Sequence, residues 1–365
     1  MPEYRRYELG SVCARLSSGK GIPASQVFNE GAFPVYGGNG LRGYTDHSNF
    51  RGDCAIIGRQ GAFCGNVRYF NGEAYMTEHA VVVCANECHN TRYLAYLLSQ
   101  MNLGRLSGQS AQPGLSVKTL AKQVIELPPL DVQNKVVAVL SSFDSKIALN
   151  EKINDNLQQQ ATALFSSLYD RSNTEVRFTD LIQILGGGTP KTGESTYWNG
   201  NIAFFTPKDV GTPYTLITEK TISEEGLSHC NSRLYPVNTV FVTARGTVGK
   251  VGISGVPMAM NQSCYALVGK ETHQLLVYFY TLKAVDRLKH KASGAVFDAI
   301  TTRDFESEQI MKLSDDDAKA FLCIAEPMFQ KVLNNCIENL RLSTLRDSLL
   351  PKLMSGEIDV SAIQL

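Results

Sequence analysis

The chain has 365 residues, about twice the usual length of a single domain, so two domains or a repeated architecture is the starting expectation. Hydrophobic residues make up 43% and charged residues 19%, enough apolar surface for a sizeable core and too much for a disordered chain. Lys+Arg 35 against Asp+Glu 35 leaves a formal net charge of +0, which excludes a global field drawing the molecule to nucleic acid or an anionic membrane; DNA contact has to come from local basic patches or from a partner's charge.

The opening MPEYRRYELGSV lacks an apolar signal-peptide stretch and no run of 18 or more apolar residues follows, so a cytoplasmic protein that does not span a membrane is expected. Next comes the turn-rich stretch from Tyr36-Gly37-Gly38-Asn39-Gly40 through Arg42, Gly43 and Tyr44, then Arg51. Cys54-Ala55-Ile56-Ile57 and Ala80-Val81-Val82-Val83 are β-type runs, and Gly58-Arg59-Gln60-Gly61 and Gly65-Asn66-Val67 are turns between them. Cys84, Cys88 and His89 are near enough in sequence to raise zinc. Against it, Cys84 ends an apolar run where a small thiol fills core space, there is no second CxxC pair, and the nine scattered cysteines read as free thiols of a reducing compartment. Apolar residues recurring every three or four positions predict a helix at about 90–101.

Leu127-Pro128-Pro129-Leu130 leads into a long helix with Asp131 as its expected N-cap. Its seam runs Val136, Leu140, Phe143, Ile147, Asn150, Asn154, Leu157, Ala161, Leu164 and Leu168, stepping four and three as a coiled coil does. The second half brings Gly186-Gly187-Gly188-Thr189-Pro190-Lys191-Thr192, then Tyr197-Trp198, Thr206-Pro207-Lys208-Asp209, the strand Val240-Phe241-Val242, Ala244-Arg245-Gly246-Thr247 and Gly249-Lys250-Val251. A helix follows at about 273–290, then a last seam of Phe321, Ala325, Met328, Val332, Asn335, Asn339, Leu342, Arg346, Leu349 and Leu353. Pro327 predicts a short helix around 315–325, a break, and the long helix beyond.

The halves echo each other at a spacing of about 184 residues. Gly65-Asn66-Val67 matches Gly249-Lys250-Val251, Arg59-Gln60-Gly61 matches Arg245-Gly246 with one inserted residue, Tyr96-Leu97-Leu98 matches Tyr280-Thr281-Leu282, and Ser107-Gly108 matches Ser293-Gly294. The expected organisation is two similar mixed α/β (α+β) domains, residues 1–130 and 171–314, with helical spacers at 131–170 and 315–365. A helix of about 35 residues is about 50 Å long, too long for one small domain to cover, so the two helices are expected to pair antiparallel about a pseudo-twofold axis. Asn150 and Asn154 would then meet Asn335 and Asn339, a buried polar pair that fixes register.

Enzyme motifs fail on chemistry. Leu127 and Leu130 cannot do what the polar and aromatic ends of an amino-methyltransferase loop do, hold an amine and stack a flipped base. Gly186 to Thr192 has the wrong spacing for a phosphate loop, and Pro190 removes an amide. The six histidines form no metal or triad spacing. What remains is cationic and amide side chains on matching turns: Arg42, Arg59 and Gln60 in the first half, and Lys191, Lys208, Arg245 and Lys250 in the second. Arginine and glutamine can read guanine and adenine edges two-pronged, while lysine suits phosphates.

In their order, twice over, these segments resemble the specificity subunits of Type I restriction-modification systems. The likeness is carried by Gly187-Gly188-Thr189-Pro190 with Tyr197-Trp198-Asn199-Gly200-Asn201-Ile202-Ala203-Phe204, by Tyr36 to Tyr44, by Arg59 to Val67 and Arg245 to Val251, by Leu127-Pro128-Pro129-Leu130, by Phe143-Asp144-Ser145-Lys146-Ile147, and by the closing Leu349-Leu350-Pro351-Lys352-Leu353-Met354-Ser355-Gly356. The resemblance implies a non-catalytic subunit with two target recognition domains, each reading one half of a bipartite site on double-stranded DNA across a gap set by the helices. It further implies two modification (methyltransferase) subunits docked on the helices, which bind S-adenosylmethionine and methylate adenine, with a restriction subunit joining for cleavage; this chain itself holds no cofactor. Because the first half lacks Gly-Gly-Thr-Pro and Tyr-Trp, the recognised sequence is expected to be asymmetric. The alternatives are the specificity subunit of a fused enzyme that cuts on both sides of its site, and a coiled-coil interaction protein that binds something other than DNA.

Overall fold

The computed structural model describes residues 3–107, 114–211, 213–291, 299–360 and 363; Gly108, Ser293 and Gly294 of the repeat lie outside them. Contacts divide the chain into two units, residues 1–146 with 342–365, and residues 147–341. The division passes through both long helices. Each unit therefore holds one sheet region and the stretches of both helices that pack on it.

In the first unit the elements are β1 (Arg5–Glu8), β2 (Cys13–Ser18), β3 (Phe33–Gly37), β4 (Gly40–Thr45), β5 (Phe50–Gly58), β6 (Val67–Met76), β7 (Ala80–Ala85), α1 (Thr91–Gln100), α2 (Val117–Ala121) and β8 (Val124–Leu127), leading into α3 (Leu130–Asp170). Six strands form one sheet in the order β2-β7-β5-β6-β3-β4, and β1 pairs with β8. Both expected β-type runs lie in its centre, paired as Ala55↔Val83 and Ile57↔Val81. Successive residues point to opposite faces. Ala55, Ile57, Val81 and Val83 thus pack with Tyr93, Leu94 and Leu98 of α1, while Cys54, Ile56 and Val82 join Phe50 and Met76 on the other side. The Asn90 side chain caps α1 by accepting from the Arg92 and Tyr93 amides.

The second unit carries β9 (Thr174–Arg177), α4 (Phe178–Leu181), β10 (Ile182–Gly186), β11 (Trp198–Phe205), β12 (Tyr214–Thr215), β13 (Lys220–Ile222), α5 (Glu224–Ser228), β14 (Val240–Thr243), β15 (Val251–Ser254), β16 (Met258–Met260), β17 (Cys264–Gly269), α6 (Gln274–Lys291), α7 (Thr302–Ser307), β18 (Gln309–Lys312) and α8 (Asp315–Met354). Its strands form a five-stranded sheet, β10-β17-β14-β15-β12, a three-stranded sheet, β13-β11-β16, and the pair β18-β9. Aromatic rings fill the core beneath α6: Phe279 stands 4.9 Å from Phe165, 5.1 Å from Phe321 and 5.5 Å from Phe329, centroid to centroid. The helices expected at 90–101 and 273–290 are α1 and α6.

Two expectations are corrected. Asp131 is not the N-cap of α3 but lies in its first turn, because the helix begins at Leu130 and the Pro129 carbonyl already accepts from the Val132 and Gln133 amides. No break follows residue 325: α8 runs unbroken from Asp315 to Met354. Pro327 and Cys323 are both exposed, so the carbonyl that loses its partner faces water, while Phe321, Ala325, Phe329 and Val332 bury the opposite stripe.

The helices meet antiparallel within each unit. In the second, Asn150 Nδ2 donates to Asn339 Oδ1 and to Glu338 Oε2, both at 2.8 Å, and Asn335 Nδ2 donates to Asn154 Oδ1 at 2.8 Å. In the first, Arg346 of α8 donates to Asp144 of α3 at 2.8 Å. Asn150 and Asn335 are fully buried, Asn154 nearly so, and Asn339 half-buried.

Candidate nucleic-acid interface

In the first unit, β5 ends at Gly58 and the chain turns outward. The Arg59 amide donates to the His79 carbonyl (3.0 Å), the Leu115 amide donates to the Arg59 carbonyl (2.8 Å), and Gln60 pairs with Gly114. Gly61 then takes a φ of +78°, and the Gly65 amide closes the loop on the Gly58 carbonyl (2.8 Å). The second unit repeats this frame at the end of β14. The Ala244 amide donates to Ser263 (2.8 Å), the Ile300 amide to Ala244 (2.9 Å), Arg245 pairs with Ala299, Gly246 has a φ of +83°, and the Gly249 amide closes on Thr243 (2.9 Å). Bond for bond, Gln60 therefore corresponds to Arg245, Arg59 to Ala244, and Asn66 to Lys250. The loop of the second unit is one residue shorter.

Two further loops adjoin it in each unit. The Thr77 amide donates to Tyr36 (2.9 Å) and the Asn261 amide to Phe205 (3.0 Å), which places Gly37–Gly40 and Thr206–Asp209 at the same point. A Cβ on Gly38 would lie 3.5 Å from the Arg59 nitrogen, and Thr247 Oγ1 donates to the Pro207 carbonyl at 3.3 Å, so this turn touches the first loop in both units. The third loop follows β2 or β10: the Lys20 amide donates to Met76 (3.0 Å) and the Gly188 amide to Met260 (3.1 Å). Ser18-Gly19-Lys20 is thus the first unit's counterpart of Gly186-Gly187-Gly188, a correspondence the sequence reading missed. Its signal is Gly19, because a Cβ there would fall 2.0 Å from the Met76 carbonyl oxygen, as one on Gly187 would fall 2.2 Å from that of Asn261.

The expected contact residues fall into distinct settings. Gln60 and Arg245 are exposed, and neither side chain has a hydrogen bond or ion pair with a described residue. Arg59 is half-buried and its Nη1 donates to Ser18 Oγ at 3.4 Å. The exposed Arg42 lays its stem across Gly37, its Cδ 2.8 Å from where a Cβ would stand. Lys208 and Lys250 line one open groove of about 640 Å3 together with Lys220, Gly246 and Asn261; Lys208 Nζ sits 3.5 Å from Glu219, both ends exposed. Lys191 is exposed outside that lining, its carbonyl accepting from Trp198 Nε1 at 3.2 Å. Lys220, over the Trp198 ring at 5.6 Å, and Arg68, whose guanidinium carbon is 3.2 Å from a Cβ position on Gly40, join these clusters without any motif that marks them in the sequence.

Burial keeps several of the cysteines from acting as nucleophiles. Burial pushes the Cys13, Cys54 and Cys264 thiols up to about 12 and raises Cys84 as well, which keeps them protonated at neutral pH. His89 lies 3.1 Å from Gln133 Nε2 and edge-on to Tyr7, and among the described residues no three His, Cys, Asp or Glu side chains converge as a cation would require. No described helix is long and apolar enough to cross a membrane.

Two sheet regions, each presenting the same frame of three loops with polar tips, define a class of protein built by duplication of one module. A model of the Type I restriction modification DNA specificity domain matches residues 1–159 and again 171–312, and the chain belongs to that family. It is 37% identical over 147 residues to the specificity subunit of the Escherichia coli type I restriction enzyme EcoprrI, a stretch covering 39% of this chain and 36% of that one. Over 304 residues it is 23% identical to the MjaIX specificity subunit of Methanocaldococcus jannaschii, covering 75% and 70%. The fold is that of the crystal structure of the Type-I restriction-modification S subunit from M. genitalium, with a TM-score of 0.65 at 14% identity over 96% of both chains.

Proposed function

We propose that this chain is the non-catalytic subunit that reads a bipartite, asymmetric sequence on double-stranded DNA and scaffolds the modification subunits of a Type I system. One observation carries the reading: the same loop frame is built twice in a chain of the DNA specificity family, and the residues at its tips differ between the two copies. Like frames favour like approaches to the duplex, and unlike tips favour unlike half-sites. S-adenosylmethionine and adenine methylation belong to two partner modification subunits in this reading, and cleavage to a restriction subunit. The modification subunits' surfaces add phosphate contacts that a chain of zero net charge supplies sparingly.

Co-expression with the neighbouring modification genes, followed by genome-wide mapping of methylated adenines, tests it. The expected result is one motif with two dissimilar halves separated by an unread gap. A perfectly palindromic motif, or no methylation above that of the modification subunits alone, would count against it.

A further inference from the structure

We infer that Gln60 and Arg245 are matched base readers, one per half-site, with Gln60 set against an adenine and Arg245 against a guanine. The inference rests on the DNA-reading function proposed above and assigns the residues that discriminate there. Three observations carry it.

The backbone presents both residues alike, with one further bond at Arg245, whose own amide also donates to the Ser263 carbonyl at 3.3 Å. The preceding residue of each is held through both its amide and its carbonyl, each residue pairs with the stretch that precedes Leu115 or Ile300, and a glycine with φ near +80° turns the chain away behind it. Each main chain is thus clamped while the side chain stands exposed and has no partner among the described residues. A reader so placed gives up side-chain freedom alone on binding.

The head groups are planar and two-pronged. The Gln60 amide offers one donor and one acceptor, the complement of adenine N7 and N6 in the major groove; the Arg245 guanidinium offers two donors, the complement of guanine N7 and O6. The neighbouring positions lack this property in one unit or both. Arg59 corresponds to Ala244, which has no head group, and its guanidinium is engaged with Ser18. Lys250 corresponds to Asn66 and carries a compact charge suited to phosphate.

Because the frames match, the head groups should be transferable. The complex with its modification subunits is incubated with a randomised duplex library, and selected DNA is sequenced for the wild type, Gln60→Arg, Arg245→Gln and the truncations Gln60→Ala and Arg245→Ala. Gln60→Arg is expected to turn one adenine of one half-site into guanine, and Arg245→Gln to do the reverse in the other half-site. Each should show a preference of about 5- to 150-fold at that position and leave the rest of the motif intact. The alanine variants should lose the preference at the same positions without gaining another. Since both side chains are exposed, melting at the wild-type temperature is expected throughout. Unchanged motifs in the exchange and alanine variants, a change appearing in both half-sites at once, or an exchange variant that melts normally and selects nothing would each overturn the inference while leaving DNA reading intact. A wild-type complex that selects no sequence would instead remove the underlying function, and the inference with it.

Discussion

At the residue scale, the loops proposed to read DNA depend on single backbone positions as much as on the side chains they present. Gly246 adopts φ +83° with open space around the missing Cβ, so Gly246→Ala introduces no clash and costs only the strain of a left-handed backbone, about 1–2 kcal/mol. That strain acts next to Arg245. Gly246→Ala is therefore expected to lower DNA affinity more than a modest drop in melting temperature would suggest, measured by titration of the assembled complex against its methylated motif. Unchanged affinity would show that the loop tolerates another geometry. Part of this site is visible in the sequence, where the Gly-bounded turns stand out as repeats, but the likeness of Arg59 to Arg245 misaligns the loop by one residue, since the hydrogen bonds set Gln60 against Arg245 and Arg59 against Ala244. The correspondence of Ser18-Gly19-Lys20 with Gly186-Gly187-Gly188 does not stand out, because those segments stand 168 residues apart while Thr77 and Asn261 stand 184 apart. The extra chain lies between, in the stretch with β12 that precedes β13 and in the stretch with α5 that follows it, and a fixed offset cannot follow an insertion. Lys220 lies on β13, which pairs with β11 as β4 pairs with β3; it stands opposite Phe204 where Gly43 stands opposite Val35, so the two residues share a place but no likeness of sequence.

At the scale of elements, the two ends of the helix pair use unlike chemistry. In the first unit Asp144 accepts from Arg346 (2.8 Å), from Arg92 (2.9 Å) and from the Tyr96 hydroxyl. Burial alone would push its carboxyl up, but these hydrogen bonds together outweigh burial and hold it below its ordinary value of 3.8. A carboxyl depressed in the folded state adds stability that is present above the unfolded value and lost as pH falls through the folded one. Asp144→Asn should accordingly destabilise the protein at neutral pH by about 1.5–3 kcal/mol, since two guanidinium groups lose a charged acceptor. The gap between variant and wild type should narrow as pH drops below about 4; a gap constant with pH would deny the carboxylate its role.

The asparagine seam makes the opposite case. Asn335 is fully buried and its Oδ1 has no partner among the described residues, although its Nδ2 reaches Asn154. Replacing both with leucine removes the unmet acceptor, and the double variant should melt at or above the wild-type temperature by calorimetry, whereas Asn335→Ala alone should melt lower. A double variant that melts lower would show that the amide pair contributes net stability as well as register. The seam was legible from its four-three stepping because that pattern reports packing directly. The unbroken course of α8 through Pro327 was not, since it depends on which face of the helix meets water.

At the scale of the whole molecule, repetition made the two-part plan readable, but the division of the chain does not follow helix ends. The units separate at 146/147 and 341/342, within α3 and α8, because each apolar stripe belongs to the core it enters: Val132, Val136 and Leu140 join Leu350 and Leu353, whereas Ala161 and Phe165 join Phe321 and Ala325. Net charge is the other whole-molecule property, and it bears on binding. A chain with formal charge +0 has no net field to add to its local lysines, so in the proposed DNA-reading role phosphate contacts would rest on loop clusters such as Lys208, Lys250 and Lys220 around one groove. Each phosphate neutralised contributes about −0.9 to the slope of log affinity against log salt concentration. The isolated chain should therefore bind its motif with a shallow slope, and the complex with modification subunits should show a clearly steeper one. Lys208→Ala and Lys250→Ala should each flatten the slope of the complex by about 1 while weakening all sequences alike, unlike substitutions at Gln60 or Arg245. Equal slopes for chain and complex, in fluorescence titrations across a range of salt, would mean that this chain alone holds the backbone and that the partners contribute no phosphate contacts.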